Sequence, residues 1–377
     1  GVGGDGVMAR LEDICSINMG QSPESSSYNE SGEGMPFFQG NADFGELHPK
    51  VRIWCNAPTK IAECGDILIS VRAPIGALNI ANEQCCIGRG LAALTANEAL
   101  CDLKYLWYGL ECKVDELNSK GTGSTFKAIN KKILAETEIY LPSLEEQRRI
   151  AALLDKVSGL IAKRRAQLDK LDLLIKARFV EIFGDPSVNT KWSTMKLSQL
   201  GELNRGVSKH RPRNDPRLLG GAYPLIQTGD VSNSGLYILN YSSTYSELGL
   251  EQSRLWKSGT LCITIAANIA HTSILTFDAC FPDSVVGFVP NDNTNSVFVH
   301  YWFSFFQKIL EEQAPQVAQK NINLKILSDL DVIVPPYTLQ EDFSAFVGQV
   351  EKSKLTIQQS LDKLETLKKA LMQQYFG

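Results

Sequence analysis

The sequence predicts an α+β protein: two β-rich domains at opposite ends of an antiparallel pair of long coiled-coil helices, related by a pseudo-two-fold axis. Three observations lead there. The chain repeats itself, each copy changes texture from strand-like to helical, and both helical stretches carry an apolar heptad stripe. With 377 residues there is room for two or three domains of roughly 150 residues each.

The repeat organises everything else. At a constant offset of 193 positions, Pro142, Gln147, Val157, Leu168, Asp169, Lys170, Leu171, Phe183 and Gly184 recur as Pro335, Gln340, Val350, Leu361, Asp362, Lys363, Leu364, Phe376 and Gly377. Upstream, Lys127, Ile129, Asn130 and Leu134 recur as Lys320, Ile322, Asn323 and Leu327. Small changes of offset add Gly65 with Gly259, Gln39 with Gln227, and Leu11, Asn18, Gly20 and Ser22 with Leu197, Asn204, Gly206 and Ser208. One domain-plus-helix unit is used twice.

Within each unit the first part is rich in short β-branched and aromatic runs broken by Gly, Asn, Asp and Pro, as in PLIQTGDVSNSGLYIL and GDILISVRAPIG, which is the signature of strands and turns. A helix is expected around Tyr105 to Leu110, with its counterpart at Val299 to Leu310. The domain boundaries that follow are 8–142 for the first β-rich domain, 143–184 for the first long helix, 185–194 for a linker, 195–336 for the second domain and 337–377 for the second long helix.

The helical stretches, Leu144 to Ile182 and Leu339 to Tyr375, are broken only by Gly159 and Gly348. Ile150, Leu154, Val157, Ile161, Arg164, Leu168, Leu171, Ile175, Arg178 and Ile182 alternate spacings of four and three, and the offset maps them onto Phe343, Val347, Val350, Lys354, Ile357, Leu361, Leu364, Lys368, Leu371 and Tyr375. That is a coiled-coil seam. A helix of this length spans about 58 Å, more than one such domain covers, so each helix needs a long partner. Connectivity supplies the other helix, and the short linker makes the pair antiparallel. Lys163, Arg164 and Arg165 lie mid-helix, where Arg164 interrupts the seam, either to snorkel along the partner helix or to meet DNA or another subunit.

Composition removes several function classes. A formal charge of −4 gives no overall attraction to nucleic acid, so a DNA role must rest on local basic patches or a basic partner. No apolar run is long enough for a membrane helix, and Gly1 to Val7, ahead of Met8, does not read as a signal peptide. The nine cysteines are irregularly spaced, which argues for a reduced, cytoplasmic protein and against a zinc ribbon. His48, His210, His271 and His300 have no metal-ligand spacing. GTGSTFK (Gly121 to Lys127) lacks the Gly-Lys-Ser/Thr of a phosphate loop. Val334-Pro335-Pro336-Tyr337 approaches an adenine-methyltransferase motif, but valine cannot accept the hydrogen bond of the target amino group. After Pro282-Asp283 no nuclease-type carboxylate and lysine follow. No catalytic assembly, cofactor or metal is expected.

The chain resembles the specificity subunits of type I restriction-modification systems. The residues that carry the resemblance are LEDICSINMG (Leu11 to Gly20) and its echo Leu197 to Gly206, GDILISVRAPIG (Gly65 to Gly76), KAINKKIL (Lys127 to Leu134), LPSLEEQRRIA (Leu141 to Ala151), EIFGDP (Glu181 to Pro186) and PLIQTGDV (Pro224 to Val231). It covers essentially everything from Met8 onward, although after Pro336 the second unit reads YTLQEDF where the first has SLEEQRR. The resemblance implies a non-enzymatic subunit whose two β-rich domains are target-recognition domains, each reading half of a bipartite double-stranded DNA site. The long helices would act as spacer and as a dock for two methyltransferase subunits, with restriction (nuclease-translocase) subunits completing the complex. Two alternatives are the recognition subunit of a split methyltransferase-endonuclease and a coiled-coil protein-protein adaptor.

On that reading, polar residues shared by the two units should build the fold or grip phosphate, and divergent ones should touch bases. Lys127 and Lys320 are the phosphate candidates, and Asn130 and Asn323 read as turn or cap residues. Base-reading candidates are Asn41, Asp43, Arg72 and Arg89 in the first domain and Thr228, Asp230, Asn268 and His271 in the second. Arginine suits guanine O6/N7, asparagine suits adenine N6/N7, and aspartate can accept from cytosine N4. The strongest local basic cluster is Arg205, Lys209, His210, Arg211, Arg213 and Arg217, opposed in sequence only by Glu202 and Asp215.

Overall fold

A computed structural model describes residues 6–123, 127–188, 191–266, 269–313 and 322–377. The chain divides into two compact units, residues 1–166 with 358–377, and residues 167–357. Each unit therefore holds one β-rich domain, half of the helix Leu144–Phe183 and half of the helix Tyr337–Phe376.

In the first unit, Val7–Arg10 pairs antiparallel with Glu138–Leu141, so the ends of the domain are clasped together. One antiparallel sheet runs in the order Cys15–Met19, Leu91–Ala96, Ile67–Ser70, Leu78–Ile80. A second runs Tyr28–Asn29, Trp54–Cys55, Met35–Phe38, Cys85–Ile87, Ile61–Ala62, with Met35–Phe38 parallel to Cys85–Ile87. The run Ile67, Leu68, Ile69 is apolar without alternation because both of its faces are covered. Ile67 and Ile69 face the cluster that contains the helices, whereas Leu68 joins Phe38, Ile87 and Ala93 on the other side.

The second unit repeats this plan. Thr194–Lys196 pairs with Asp331–Ile333, one sheet runs Gly201–Arg205, Val285–Pro290, Leu261–Thr264, Thr272–Leu275, Tyr237–Ile238, and another runs Ser243–Tyr245, Leu219–Leu225, Ala279–Cys280, Leu255–Trp256. Leu261 and Ile263 face the helices and Cys262 the opposite cluster. The expected domain helices are Leu103–Cys112, capped by Asp102 on the backbone N–H groups of Lys104 and Tyr105, and Ser296–Gln313.

Each long helix is bound to its domain by the same buried glutamine. Gln147 donates through Nε2 to the carbonyls of Leu100 (3.0 Å) and Pro142 (2.9 Å) and accepts the Asp102 N–H at 2.9 Å. Gln340 donates to the carbonyls of Asn293 and Pro335, both at 3.0 Å, and accepts the Thr294 hydroxyl at 2.9 Å. Asn130 and Asn323 are helix N-caps, accepting from the N–H groups of Ile133 and Ile326. Gly184 ends the first long helix with φ +82°, its N–H donating to the Val180 carbonyl.

Within each unit the helical segments run antiparallel. In the first, Ile150 and Leu154 share a core with Leu371, Met372, Tyr375 and Phe376, and Arg165 pairs with Glu365 at 2.6 Å. In the second, Lys354 lies in the seam and pairs with Asp172 and Glu351, each at 2.8 Å. Every heptad position of the second helix is buried or half-buried. The end of the first helix differs from the expected seam: Phe179 and Phe183 are buried in place of Arg178 and Ile182. After Ile175 the buried positions step by four, following the 3.6-residue turn, because Phe179 and Phe183 complete an aromatic cluster with Phe298 and Phe343 at ring separations of 5.0 to 5.6 Å. Arg178 stays exposed, pairs with Glu181 and lies 5.9 Å over the Phe346 ring.

Candidate nucleic-acid interface

In the first unit the ends of several strands converge on a cleft of about 370 Å³ lined by Gln39, Gly40, Asn41, Asp43, Arg52 and Arg72, among others. The strand Met35–Phe38 delivers Gln39 and the short helical turn Asn41–Asp43. The Asp43 carboxylate is occupied. It accepts the N–H of Gln39 at 2.7 Å, sits beneath the exposed Arg52 in an ion pair, and is only 6% exposed. Its work is to staple the loop, and Asn41 and Arg72 line the cleft beside it. Arg72 forms an antiparallel backbone bridge with Ala128, and the Lys127 carbonyl accepts the Ala73 N–H, so the Arg72 and Lys127 side chains rise from adjoining segments. Arg89 stands exposed on the turn that follows Cys85–Ile87, its N–H donating to Ser22 Oγ at 3.3 Å. Among the described residues neither Arg72 nor Arg89 has an ion-pair partner.

The second unit carries the equivalent cleft, about 260 Å³, lined by Ser208, Arg213, Gln227, Thr228, Tyr245 and Ser284, among others. Gln227 occupies the place of Gln39. Asp230 repeats the staple, accepting the Gln227 N–H at 2.8 Å and the Ser242 hydroxyl at 3.1 Å. Thr228 opens the helix Thr228–Asn233 and faces the cleft. His271 lies where the hairpin turn rejoins its strand, with its N–H donating to Thr264 Oγ1 at 3.1 Å. Ala270 beside it has φ +59° where the first unit has Gly76 at +91°, a left-handed conformation that is strained for alanine. Asn268 and Lys320 lie outside the described residues.

The basic cluster is more neutral than its sequence suggests. Asp215 binds Arg217 at 2.7 Å and His210 at 2.9 Å, and Arg217 holds its carboxyl well below the usual range. Asp283, distant in sequence, pairs with Arg213 at 2.7 Å. Arg211 donates to the carbonyls of Ser208 and His210. Arg205 and Lys209 are exposed, with the Lys209 N–H held by Gln252.

The chain matches the family described as Type I restriction modification DNA specificity domain twice, over residues 5–171 and 189–368. It belongs to that family. Its members here include the putative type I restriction enzyme MjaX specificity subunit of Methanocaldococcus jannaschii, 46% identical over 156 residues, a match covering 41% of this chain and 37% of the relative. The EcoBI specificity subunit of Escherichia coli is 20% identical across 97% of this chain and 84% of its own length. The fold is that of the S subunit of the type I system of M. genitalium, with a TM-score of 0.58, 16% identity and coverage of 100% of this chain and 97% of that one. A chain from a structural study of complex assembly and conformational transition of the type I R-M system gives 0.59, at 17% identity over 98% and 97%. The chain is thus a specificity subunit, the DNA-recognising and non-catalytic component of such a system. Among its described residues no group of three or more His, Cys, Asp or Glu could hold a metal ion, and no helix is long and apolar enough to cross a membrane.

Sequence reasoning missed Arg52, Arg213 and Ser284 as cleft residues. Arg52 and Ser284 had no distinguishing pattern, whereas Arg213 was visible as part of the basic cluster but not as a partner of Asp283.

Proposed function

We propose that this specificity subunit reads a bipartite DNA target, one half through residues 8–142 and the other through 195–336, and directs partner adenine methyltransferase and restriction subunits to it. The observation that supports this most is the pair of equivalent clefts: Gln39 and Gln227 sit alike above stapling aspartates, while the surrounding polar residues differ. A shared frame with divergent linings is what two readers of different half-sites need. Lys127 in the first unit, and Lys320 by repetition, would grip phosphate.

The helices 143–184 and 337–377 would space the half-sites and dock two methyltransferase subunits. They leave Leu160, Leu173, Leu174, Leu355 and Leu367 more than 40% exposed, apolar surface that a bound subunit would cover. With a net charge of −4 the chain alone should hold DNA weakly, so the assembled complex is the competent reader, in the cytoplasm where the target is found.

Co-expression with the cognate methyltransferase, followed by mapping of methylated adenines, tests the reading. Two short specified sequences separated by a fixed unspecified spacer are expected. Methylation at one uninterrupted sequence, or none that depends on this chain, would overturn it. Binding to the assembled complex should also weaken steeply with salt as phosphate counterions return, which a protein-protein adaptor would not show.

A further inference from the structure

The two clefts are framed by the same main-chain hydrogen bonds, and these equate positions that sequence offset alone does not. The N–H groups of Gly20 and Gly206 donate to the carbonyls of Leu91 and Val285, and those of Gln21 and Val207 to Ile87 and Phe281. Those of Leu91 and Val285 close a turn on Gly88 and Pro282, and those of Val71 and Ile265 donate to Gly90 and Ser284. The tip of the first turn is therefore Arg89 and the tip of the second is Asp283. The neighbouring strand end carries Arg72 in the first unit and Ala266 in the second.

Charge is thus inverted at one place on a common frame. Arg89 is exposed and has no ion-pair partner among the described residues, whereas Asp283 is neutralised by Arg213 through both carboxylate oxygens, at 2.7 and 2.9 Å. The first turn is also tightly seated. A Cβ on Gly90 would come within 2.3 Å of the Gln39 carbonyl, and one on Gly88 within 3.1 Å of the Gln39 Cα, so backbone packs on backbone, and the Arg89 N–H on Ser22 Oγ adds a further hold on the tip. A fixed platform that presents a free guanidinium suits the two acceptors on the major-groove edge of guanine. Phosphate-gripping residues should recur in both units, as Lys127 and Lys320 do, and Arg89 does not.

We propose that this turn is a specificity-determining position, and that Arg89 donates to O6 and N7 of a guanine in the half-site read by the first domain. The proposal rests on the reading of the chain as the reader of a bipartite target. The experiment uses the full chain co-expressed with its methyltransferase, with chromosomal adenine methylation mapped for the wild type, Arg89→Ala, Arg89→Lys and Asp283→Asn. If the wild type yields no bipartite motif, the functional reading itself fails. Given such a motif, Arg89→Ala should reduce discrimination for guanine at one position of one half-site by about tenfold or more and leave the other half-site unchanged. Arg89→Lys should relax the same position less than Arg89→Ala, since an ammonium can reach O6 and N7 but lacks the rigid planar fork. Asp283→Asn should leave the Arg89-dependent half-site untouched. An unchanged motif with slower methylation that Arg89→Lys restores would make Arg89 a phosphate contact and overturn the proposal. So would relaxation of the same half-site by Asp283→Asn.

Discussion

Gln147→Glu is the most economical test of how a long helix is held to its domain. The side chain keeps its size, so no cavity opens, but the amide that donates to the Leu100 and Pro142 carbonyls becomes an oxygen. Gln147 is 1% exposed, so water cannot replace the lost donor freely. Each orphaned buried acceptor costs about 1–3 kcal/mol, giving a loss on the order of 2–6 kcal/mol for the first unit at neutral pH. Burial and the two facing carbonyls must raise the new carboxyl's pKa above its unfolded value of about 4.3. Stability retained below that value is then lost as pH rises through the raised folded pKa, because the protonated acid can still donate to one carbonyl and the carboxylate to neither. Urea unfolding at pH 5 and pH 8 should therefore show a larger deficit at pH 8. A cost under about 1 kcal/mol at pH 8, or a deficit independent of pH, would mean that the glutamine is not the clasp its geometry describes.

Two further outcomes follow from the packing. A fragment of residues 6–184 lacks Leu371, Met372, Tyr375 and Phe376, which pack on the first unit's core, but the repeat offers Arg178, Phe179, Ile182 and Phe183 of a second copy in their place; sedimentation should show a dimer at micromolar concentration, and a strict monomer would show that the helices are not interchangeable. If that dimer assembles with the methyltransferase, the methylated target should become an inverted repeat of one half-site, since protein symmetry is mirrored in the DNA. In the second unit, burial pushes the His300 imidazole, which bonds Thr272 at 2.9 Å, down to about 4. The unfolded chain then takes up the proton first as pH falls below about 6.5, so up to roughly 3 kcal/mol of stability should drain away between pH 6.5 and 4; denaturant unfolding of His300→Asn should show a flatter acid limb, and an unaltered limb would refute the assignment.

The long helices and the duplicated plan were legible because their signals are local and additive: heptad spacing, absence of proline and a constant offset each bear on many residues at once. The strands were legible as a class but not as an order. Ile67, Leu68 and Ile69 announce burial on both faces, yet nothing in that run says that Leu91–Ala96 and Leu78–Ile80 lie on either side of Ile67–Ser70. The end of the seam was misjudged because a heptad assumes a long partner of constant spacing, and at Phe179 and Phe183 the partner includes Phe298 of the domain helix. Tertiary aromatic packing prevailed over the repeat there.

The candidate site was legible only by residue type. Asp43 and Asp230 looked like acceptors for a base because a carboxylate on a turn is an acceptor; whether its oxygens are free depends on where neighbouring N–H groups point, and here they point inward to the loop. The offset between the units is also not constant across the cleft, changing between Gly20 with Gly206, Gln39 with Gln227 and Gly65 with Gly259. Insertions fall in the loops that line it, which is where alignment by eye fails and where function is most free to vary. Backbone hydrogen bonds survive those insertions because buried N–H and carbonyl groups must be paired whatever side chains they carry. They recover the correspondence of Arg89 with Asp283, and that correspondence separates what the two domains need in order to fold from what they are free to read.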